Sequence, residues 1–447
     1  MRLSGLLGLI NDRRDNECLV YRDRSLSCRD LEGVRQLWLA RLKKIESTPG
    51  DVIGLRADCS PEAIGLLLAI LSNRRIACLL PGGSSDDEGY LQDARAVGFF
   101  DLQDDDSWEW SPGSTVPDDH ALLRRLRSAG GSGIIIFSSG STGQPKAILH
   151  DADRFLSKFS PTGKQLRTLA FLLFDHVAGL DTVFYTLGAG GVLVIPEQRD
   201  SRYICSLIEQ HRVEVLPTSP TFLRLLCLSG DHEEFDLSSL RIITYGAEPM
   251  DEATLRRLRE VFPDVRLSQK YGTSEFGSPR TISPNNESLW MRLSGEHLET
   301  NVVDDVLWVR TRSSMLGYLN APSPFNSRGW ICTGDIVERA GDWIRIVGRK
   351  SDIIMVGGEK VDAREVEAVL SEQSFVIDAV VRGEPQPLTG QIVAAEVRVD
   401  SRRLSEGEDA IRRKIRSYCR SRLEPYKVPV RIRLTPGGVV SQRKKKR

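Results

Sequence analysis

The chain has 447 residues, with 61 basic and 61 acidic side chains that leave no formal net charge. Hydrophobic residues make up 40% and charged residues 27%, an ordinary globular composition, and the length allows two or three domains with a large one able to bury its own core. The balance gives no general attraction to nucleic acid or an acidic membrane, and the cysteines at 18, 28, 59, 78, 205, 227, 332 and 419 include no Cys-x-x-Cys pair, which reads as reduced, non-metal cysteine in a cytoplasmic protein.

Taken in chain order, the apolar run from Met1 to Ile10 is broken by Asn11-Asp12-Arg13-Arg14 without a small-residue cleavage site, so no signal peptide is read. Ser60-Pro61-Glu62 opens a helix that runs through about Leu71, and its apolar run is too short to span a bilayer. The stretch 82–119 is rich in Asp, Ser and Gly and is expected to loop out. Ile134-Ile135-Ile136-Phe137 reads as a buried strand. Strands are then expected at 171–174, 192–195, 213–216, 240–244 and 265–268. They alternate with helices at 181–187, 201–211, 220–228 and 251–261. Short apolar runs between helices suit strands buried on both faces of a sheet. From about residue 284, 302–309 and 343–347 read as antiparallel strands of a smaller β region. After Gly348-Arg349-Lys350-Ser351-Asp352 come a helix at 363–371, strands at 376–381 and 391–399, and a basic amphipathic helix at 409–423. The expected fold class is therefore α/β. A large domain (1–348) of parallel or mixed sheets flanked by helices carries a small β region. A hinge (349–352) then leads to a small, mobile α+β domain (353–447) that ends in Arg443-Lys444-Lys445-Lys446-Arg447.

Several loops carry the chemistry. Phe137-Ser138-Ser139-Gly140-Ser141-Thr142-Gly143-Gln144-Pro145-Lys146 follows a strand with four hydroxyls, two glycines and an ammonium. Glycines let backbone N–H groups approach an anion, so the run reads as a phosphate cradle. It is not a Walker A loop, because Gln144-Pro145 separates Gly143 from Lys146. Tyr271-Gly272-Thr273-Ser274-Glu275-Phe276-Gly277 puts an aromatic plane, hydroxyls and a carboxylate in one loop. That set suits a purine stacked on Tyr271 and Mg²⁺ held by Glu275 against phosphate oxygens. Tyr245-Gly246-Ala247-Glu248-Pro249 is a second glycine-bearing loop after a strand. In Trp330-Ile331-Cys332-Thr333-Gly334-Asp335 the carboxylate of Asp335 suits two vicinal hydroxyl donors.

These runs, in this order, resemble the signature motifs of the adenylate-forming (ANL) superfamily, which holds acyl- and aryl-CoA synthetases, amino-acid adenylation domains and luciferase. The likeness runs from about Gly50 to the end, in a chain that is short for that family. The resemblance implies that Ser138, Ser139, Gly140, Ser141, Thr142, Gly143 and Lys146 bind phosphate. Gly246, Ala247 and Glu248 would line adenine and the acyl pocket. Tyr271, Gly272 and Thr273 would complete the nucleotide site, with Ser274 at a position that is Thr in the family. It further implies that Asp335 accepts the ribose hydroxyls and that Arg349 contacts ribose and phosphate. Gly317-Tyr318-Leu319-Asn320 also fits the family. Ser351 stands where the family carries its Asp or Lys pivot, with Asp352 beside it. Gly357 and Gly358 match the loop that admits a pantetheine arm. The catalytic lysine fits Lys444 best, with Lys445 and Lys446 as candidates, because the family's Gly-Lys is absent here. His176, in Asp175-His176-Val177-Ala178-Gly179-Leu180, would gate the acyl pocket, whose apolar walls are expected from Leu216, Phe222 and Met250.

The activity implied is ATP-dependent activation of a carboxylic acid, fatty or aryl, to an acyl-adenylate with release of pyrophosphate. Transfer to the thiol of CoA or of a carrier protein's phosphopantetheine would follow. The implied cofactors are ATP, Mg²⁺ on Glu275, and CoA or phosphopantetheine. The implied protein is a monomer or homodimer with no membrane span and no nucleic-acid partner. Amino-acid adenylation, transfer to an amine and a non-catalytic AMP-binding descendant remain as alternatives.

Overall fold

A computed structural model describes all residues except 83–86, 114–119, 140–143, 161–162, 249, 389, 401–406 and 437–447. Two seven-stranded sheets dominate. One runs in the order Gly317–Tyr318, Pro145–Asp151, Gly133–Ser139, Ile76–Leu79, Val52–Arg56, Ala96–Leu102, Trp108–Pro112. Its inner strands are parallel and both margins antiparallel. The other runs Arg266–Gln269, Ile242–Tyr245, Val215–Thr218, Arg167–Leu169, Val192–Ile195, Glu17–Tyr21, Arg24–Ser27. It is parallel until the final hairpin.

The main core joins apolar residues of both sheets, among them Ile53, Ile134, Leu193 and Ile195, to the helices Pro61–Ser72 and Val177–Ala189. Pro61–Ser72 is apolar all round and buried at every position from Ala63 to Leu71, as a helix enclosed between layers must be. It starts where Ser60 Oγ accepts from Ala63 N and Pro61 occupies the first turn. A second core lies under the helices Ser201–His211, Pro220–Ser229 and Glu252–Val261. A four-stranded antiparallel sheet, Glu299–Val303, Val306–Arg310, Ile331–Ala340, Trp343–Arg349, adds the small β region. The smaller C-terminal domain has its own five-stranded sheet and its own core under the helices Ala363–Ser371 and Glu408–Arg420. Among the described residues no helix is long and apolar enough to cross a membrane, and the eight cysteines are free.

Two expectations need correction. The strand read at 171–174 is Arg167–Leu169, and 171–174 is turn. Phe171 and Phe174 are buried there all the same, because a core position does not require a strand. The stretch 82–119 is not one loop. It holds the helix Asp87–Ala94 and the strands Ala96–Leu102 and Trp108–Pro112, whose Phe100, Trp108 and Trp110 cluster on Trp38. The helices Leu3–Asp12 and Cys28–Leu42 and the hairpin Glu17–Tyr21/Arg24–Ser27 pack into the first core and the second sheet.

Candidate active site

The loops that carry the motifs leave the carboxyl ends of strands: 246–250 follows Ile242–Tyr245, and 270–278 follows Arg266–Gln269. Such ends are where open α/β sheets bind ligands. On the phosphate side, Gly133–Ser139 and Pro145–Asp151 pair antiparallel, with Ser138 opposite Lys146. Gly140, Ser141, Thr142 and Gly143 lie outside the described residues. Lys146 Nζ stands 5.0 Å over the ring of Tyr318. The Tyr318 hydroxyl in turn donates to Glu275 Oε1 at 2.8 Å. Burial, and then the Glu275 carboxylate, raise the phenol pKa far above its ordinary value, so Tyr318 keeps its proton to donate. Glu275 retains its second oxygen for a cation.

The backbone of the Glu275 loop is pinned from two further sides. Met315 N donates to Glu275 O at 2.7 Å, and His150 Nε2 donates to Ser274 O at 2.8 Å. His150 is 1% exposed and stacks edge-on against Phe155. Burial is the largest cause that pulls its pKa down to about 3, so the ring is neutral and serves as a donor. Asn320 closes the arrangement: its side chain accepts from Ala147 N and donates to Pro145 O, both at 2.9 Å. The Gly317–Asn320 run thus fastens the strand leaving the phosphate loop to the carboxylate loop. Sequence reasoning placed Tyr318 and Asn320 in a motif without a role and missed His150, since a lone His on an apolar strand carries no signal of its own.

On the ribose side, Tyr271 donates to Asp335 Oδ2 at 2.6 Å and Arg349 Nε to Asp335 Oδ1 at 2.7 Å. Burial and then Asp335 push the Tyr271 phenol pKa well up. The turn is built locally: Thr333 Oγ1 donates to Leu307 O and accepts from Asp335 N, while Gly334 takes a left-handed conformation, φ 74°. Asp335 is only 2% exposed, so ribose hydroxyls would reach it by displacing Arg349 or Tyr271.

Two glycines are required by close approach. A Cβ at Gly272 would lie 2.3 Å from Gly277 O, and one at Gly246 would lie 2.6 Å from Lys270 O. Ala247 follows with φ 64°, a conformation that costs an L-residue roughly 1–2 kcal/mol. The Glu248 carboxylate accepts from Thr221 Oγ1 at 2.6 Å and from Thr221 N at 3.2 Å, so it is held at the start of Pro220–Ser229. Leu216, Phe222 and Met250, expected as pocket walls, are buried in the second core with 0%, 0% and 7% exposure.

His176 is the N-cap residue of Val177–Ala189. Gly179 permits the preceding turn to fold against that helix, since a Cβ there would come 2.0 Å from Leu173 O. In the C-terminal domain Gly357 and Gly358 form the exposed turn between Ile353–Val356 and Glu359–Asp362. Arg224 spans the two domains, bonding Asp251 Oδ2 at 2.5 Å and Ile377 O at 3.1 Å. Lys444, Lys445 and Lys446 lie outside the described residues.

Among the described residues no three His, Cys, Asp or Glu side chains cluster to hold a metal ion. A divalent cation on Glu275 would therefore draw its remaining ligands from phosphate oxygens and water, as Mg²⁺ commonly does.

The sequence profile described as AMP-binding enzyme matches residues 10–319, and that of the AMP-binding enzyme C-terminal domain matches residues 365–446. The chain belongs to the AMP-binding enzyme family. Its relatives include the long-chain-fatty-acid–CoA ligase FadD13 of Mycobacterium tuberculosis, 28% identical over 72% of this chain and 70% of that one. A probable CoA ligase, CCL5 of Humulus lupulus, is 28% identical over 64% and 58%. Among solved structures, the anthranilate CoA ligase AuaEII superposes with a TM-score of 0.77 at 19% identity, covering 97% of this chain and 95% of that one. The amide bond synthetase McbA of Marinactinospora thermotolerans superposes with a TM-score of 0.72 at 22% identity, covering 97% and 96%. Both superpositions show the shared fold.

Proposed function

We propose that this protein activates a carboxylic acid with ATP and passes the acyl group to the thiol of CoA. The observation that carries this reading is the pair of tethered carboxylates: Glu275, held by Tyr318 beside Lys146, and Asp335, held between Tyr271 and Arg349. The first suits a cation on the triphosphate and the second suits ribose. Bound Mg²⁺ would supply charge neutralisation of the phosphates.

In the first step a substrate carboxylate oxygen attacks the α-phosphorus of ATP. The bond from that phosphorus to the bridging oxygen of pyrophosphate breaks, leaving acyl-AMP. The attacking carboxylate is already ionised at neutral pH, so no general base is needed. Lys146 and the hydroxyls and N–H groups of 138–143 would offset the negative charge on the leaving pyrophosphate, and Arg349 would do so near the α-phosphate. In the second step a thiolate attacks the acyl carbon, the acyl–phosphate bond breaks and AMP leaves. The Gly357–Gly358 turn is assigned to that step, which requires the C-terminal domain to turn about residues near Ser351. Lys444 is assigned to the first. The eight free thiols suit a reducing, cytoplasmic setting.

The test is carboxylate-dependent ATP–pyrophosphate exchange across fatty, aryl and amino acids, run on wild type and Lys444→Ala. Exchange with a fatty or aryl acid, lost in the variant, supports the reading and the lysine assignment. No exchange with any acid contradicts it.

A further inference from the structure

One guanidinium at the boundary of the two domains is used by none of the steps above. Arg224 lies in the helix Pro220–Ser229 of the large domain, with its side chain 14% exposed. Two of its three nitrogens are spent inside that domain. Nη2 donates to Asp251 Oδ2 at 2.5 Å and Nε to Thr254 Oγ1 at 3.2 Å. Asp251 is itself fixed as the N-cap of Glu252–Val261, accepting from Thr254 N and from Thr254 Oγ1, both at 2.7 Å. The planar fork is therefore oriented before it meets the C-terminal domain. Its third nitrogen, Nη1, donates across the boundary to Ile377 O at 3.1 Å.

The other side of this bond is shaped to receive it. Ile377 belongs to Val376–Gln386, which pairs antiparallel with Gly390–Val399 at the margin of the domain's sheet. Val376 stands opposite Val399 and Asp378 opposite Arg398, so Ile377 is one residue too many on its strand. Such a bulge turns a backbone group out of the ladder. At 6% exposure Ile377 has little access to water, and a buried carbonyl needs a partner. Arg224 supplies one, in a charge-assisted bond. The domains also close beside the hinge. A Cβ at Gly348 would lie 2.8 Å from Asp362 Oδ2, and Arg364 Nε faces Asp352 Oδ2 at 3.8 Å.

In this arrangement the Gly357–Gly358 turn is exposed, and the thiol-transfer step assigned above needs the C-terminal domain to turn about residues near Ser351. That turn carries Ile377 away from a helix anchored in the large domain, so the Arg224 bond must break. Resting on the function proposed above, we infer that Arg224 is a positioning residue, a latch that holds the C-terminal domain in the arrangement seen here and sets how readily it leaves for thiol transfer. Losing one charge-assisted hydrogen bond shifts an equilibrium about tenfold. The turned arrangement gains population by that factor when the latch is removed.

The experiment uses the full chain as wild type, Arg224→Met, Arg224→Lys and Asp251→Asn, with folding checked by circular dichroism. Arg224→Lys keeps a positive charge for Asp251 but loses the fork. Asp251→Asn keeps the guanidinium and its bond to Ile377 O. Two quantities are read: amide hydrogen exchange of the hinge, residues 349–353, without substrate, and the ratio of thioester formation with CoA to ATP–pyrophosphate exchange. Hinge exchange should be about tenfold faster in Arg224→Met, with the ratio raised in the same sense and Arg224→Lys following it. Asp251→Asn should lower the thermal midpoint and leave both readings near wild type, which a merely structural Arg224 would not distinguish from its own variants. Unchanged hinge exchange in a folded Arg224 variant overturns the latch. Faster hinge exchange with an unmoved ratio overturns its part in thiol transfer. Pyrophosphate exchange with no acid at all overturns the function proposed above, while the hinge measurement still decides the latch.

Discussion

Two glycine-bearing loops of this protein stand in opposite conditions. The 271–277 loop is fastened at every turn, by His150 to Ser274 O, by Met315 to Glu275 O, by Tyr318 to the Glu275 side chain and by Asp335 to Tyr271. Its Gly272 is glycine because a Cβ would strike Gly277 O. The 357–358 turn is exposed, and a Cβ on Gly358 would meet nothing within 4 Å. In the first, glycine serves close packing of a site already assembled. In the second it serves an exposed turn whose φ of 94° at Gly358 favours glycine.

The sharpest way to break the first loop is Gly272→Ala. The added Cβ must shift the loop that carries Glu275, and a displacement of an ångström is enough to lower exchange about 10²-fold. Tyr318→Phe removes a single bond to a carboxylate. It should lower kcat/KM roughly tenfold, the size of one charge-assisted hydrogen bond. It should also raise the Mg²⁺ concentration needed for half-maximal rate, with the thermal midpoint nearly unchanged.

His150 offers a test in pH. Its pKa in the folded protein is about 3, below the ordinary value of 6.5. Between these values the unfolded chain binds the proton that the folded protein refuses. The stability it contributes is thus complete above pH 6.5 and is lost as pH falls toward 3. The slope from this group approaches about 1.4 kcal/mol per pH unit. His150→Gln keeps an N–H donor for Ser274 O without the titration. Thermal unfolding from pH 7 to 4 should therefore fall less steeply in the variant than in wild type. On the second loop, Gly358→Ala meets no steric obstacle but must hold φ 94°, which costs roughly 1 kcal/mol. It should leave exchange within about twofold while slowing thioester formation.

What the sequence disclosed follows from this contrast. Loops whose composition is itself the chemistry, such as 137–146, 271–277 and 330–335, were readable because hydroxyls, glycines and a carboxylate stand next to one another. The supports were not. Tyr318 and Glu275 are 43 residues apart, and His150 and Ser274 are 124 apart, so nothing local marks either pair. The same holds for Arg224 with Ile377, 153 residues apart. Apolar runs were found as core but not always as strands: 171–174 is buried turn, because hydrophobicity reports burial and the hydrogen-bond ladder decides the strand. Phe222 and Met250 belong to the second core, and composition alone does not distinguish core from pocket wall.

The most direct test of the central claim is a single-turnover assay with a carboxylic acid that supports exchange, in which acyl-AMP is quenched and weighed by mass spectrometry for wild type and Glu275→Gln. The account predicts stoichiometric acyl-AMP in wild type and a rate lowered about 10²-fold or more in the variant, with the fold intact. Equal rates would contradict it, because the carboxylate that Tyr318, Met315 and His150 hold in place would then have no part in the chemistry.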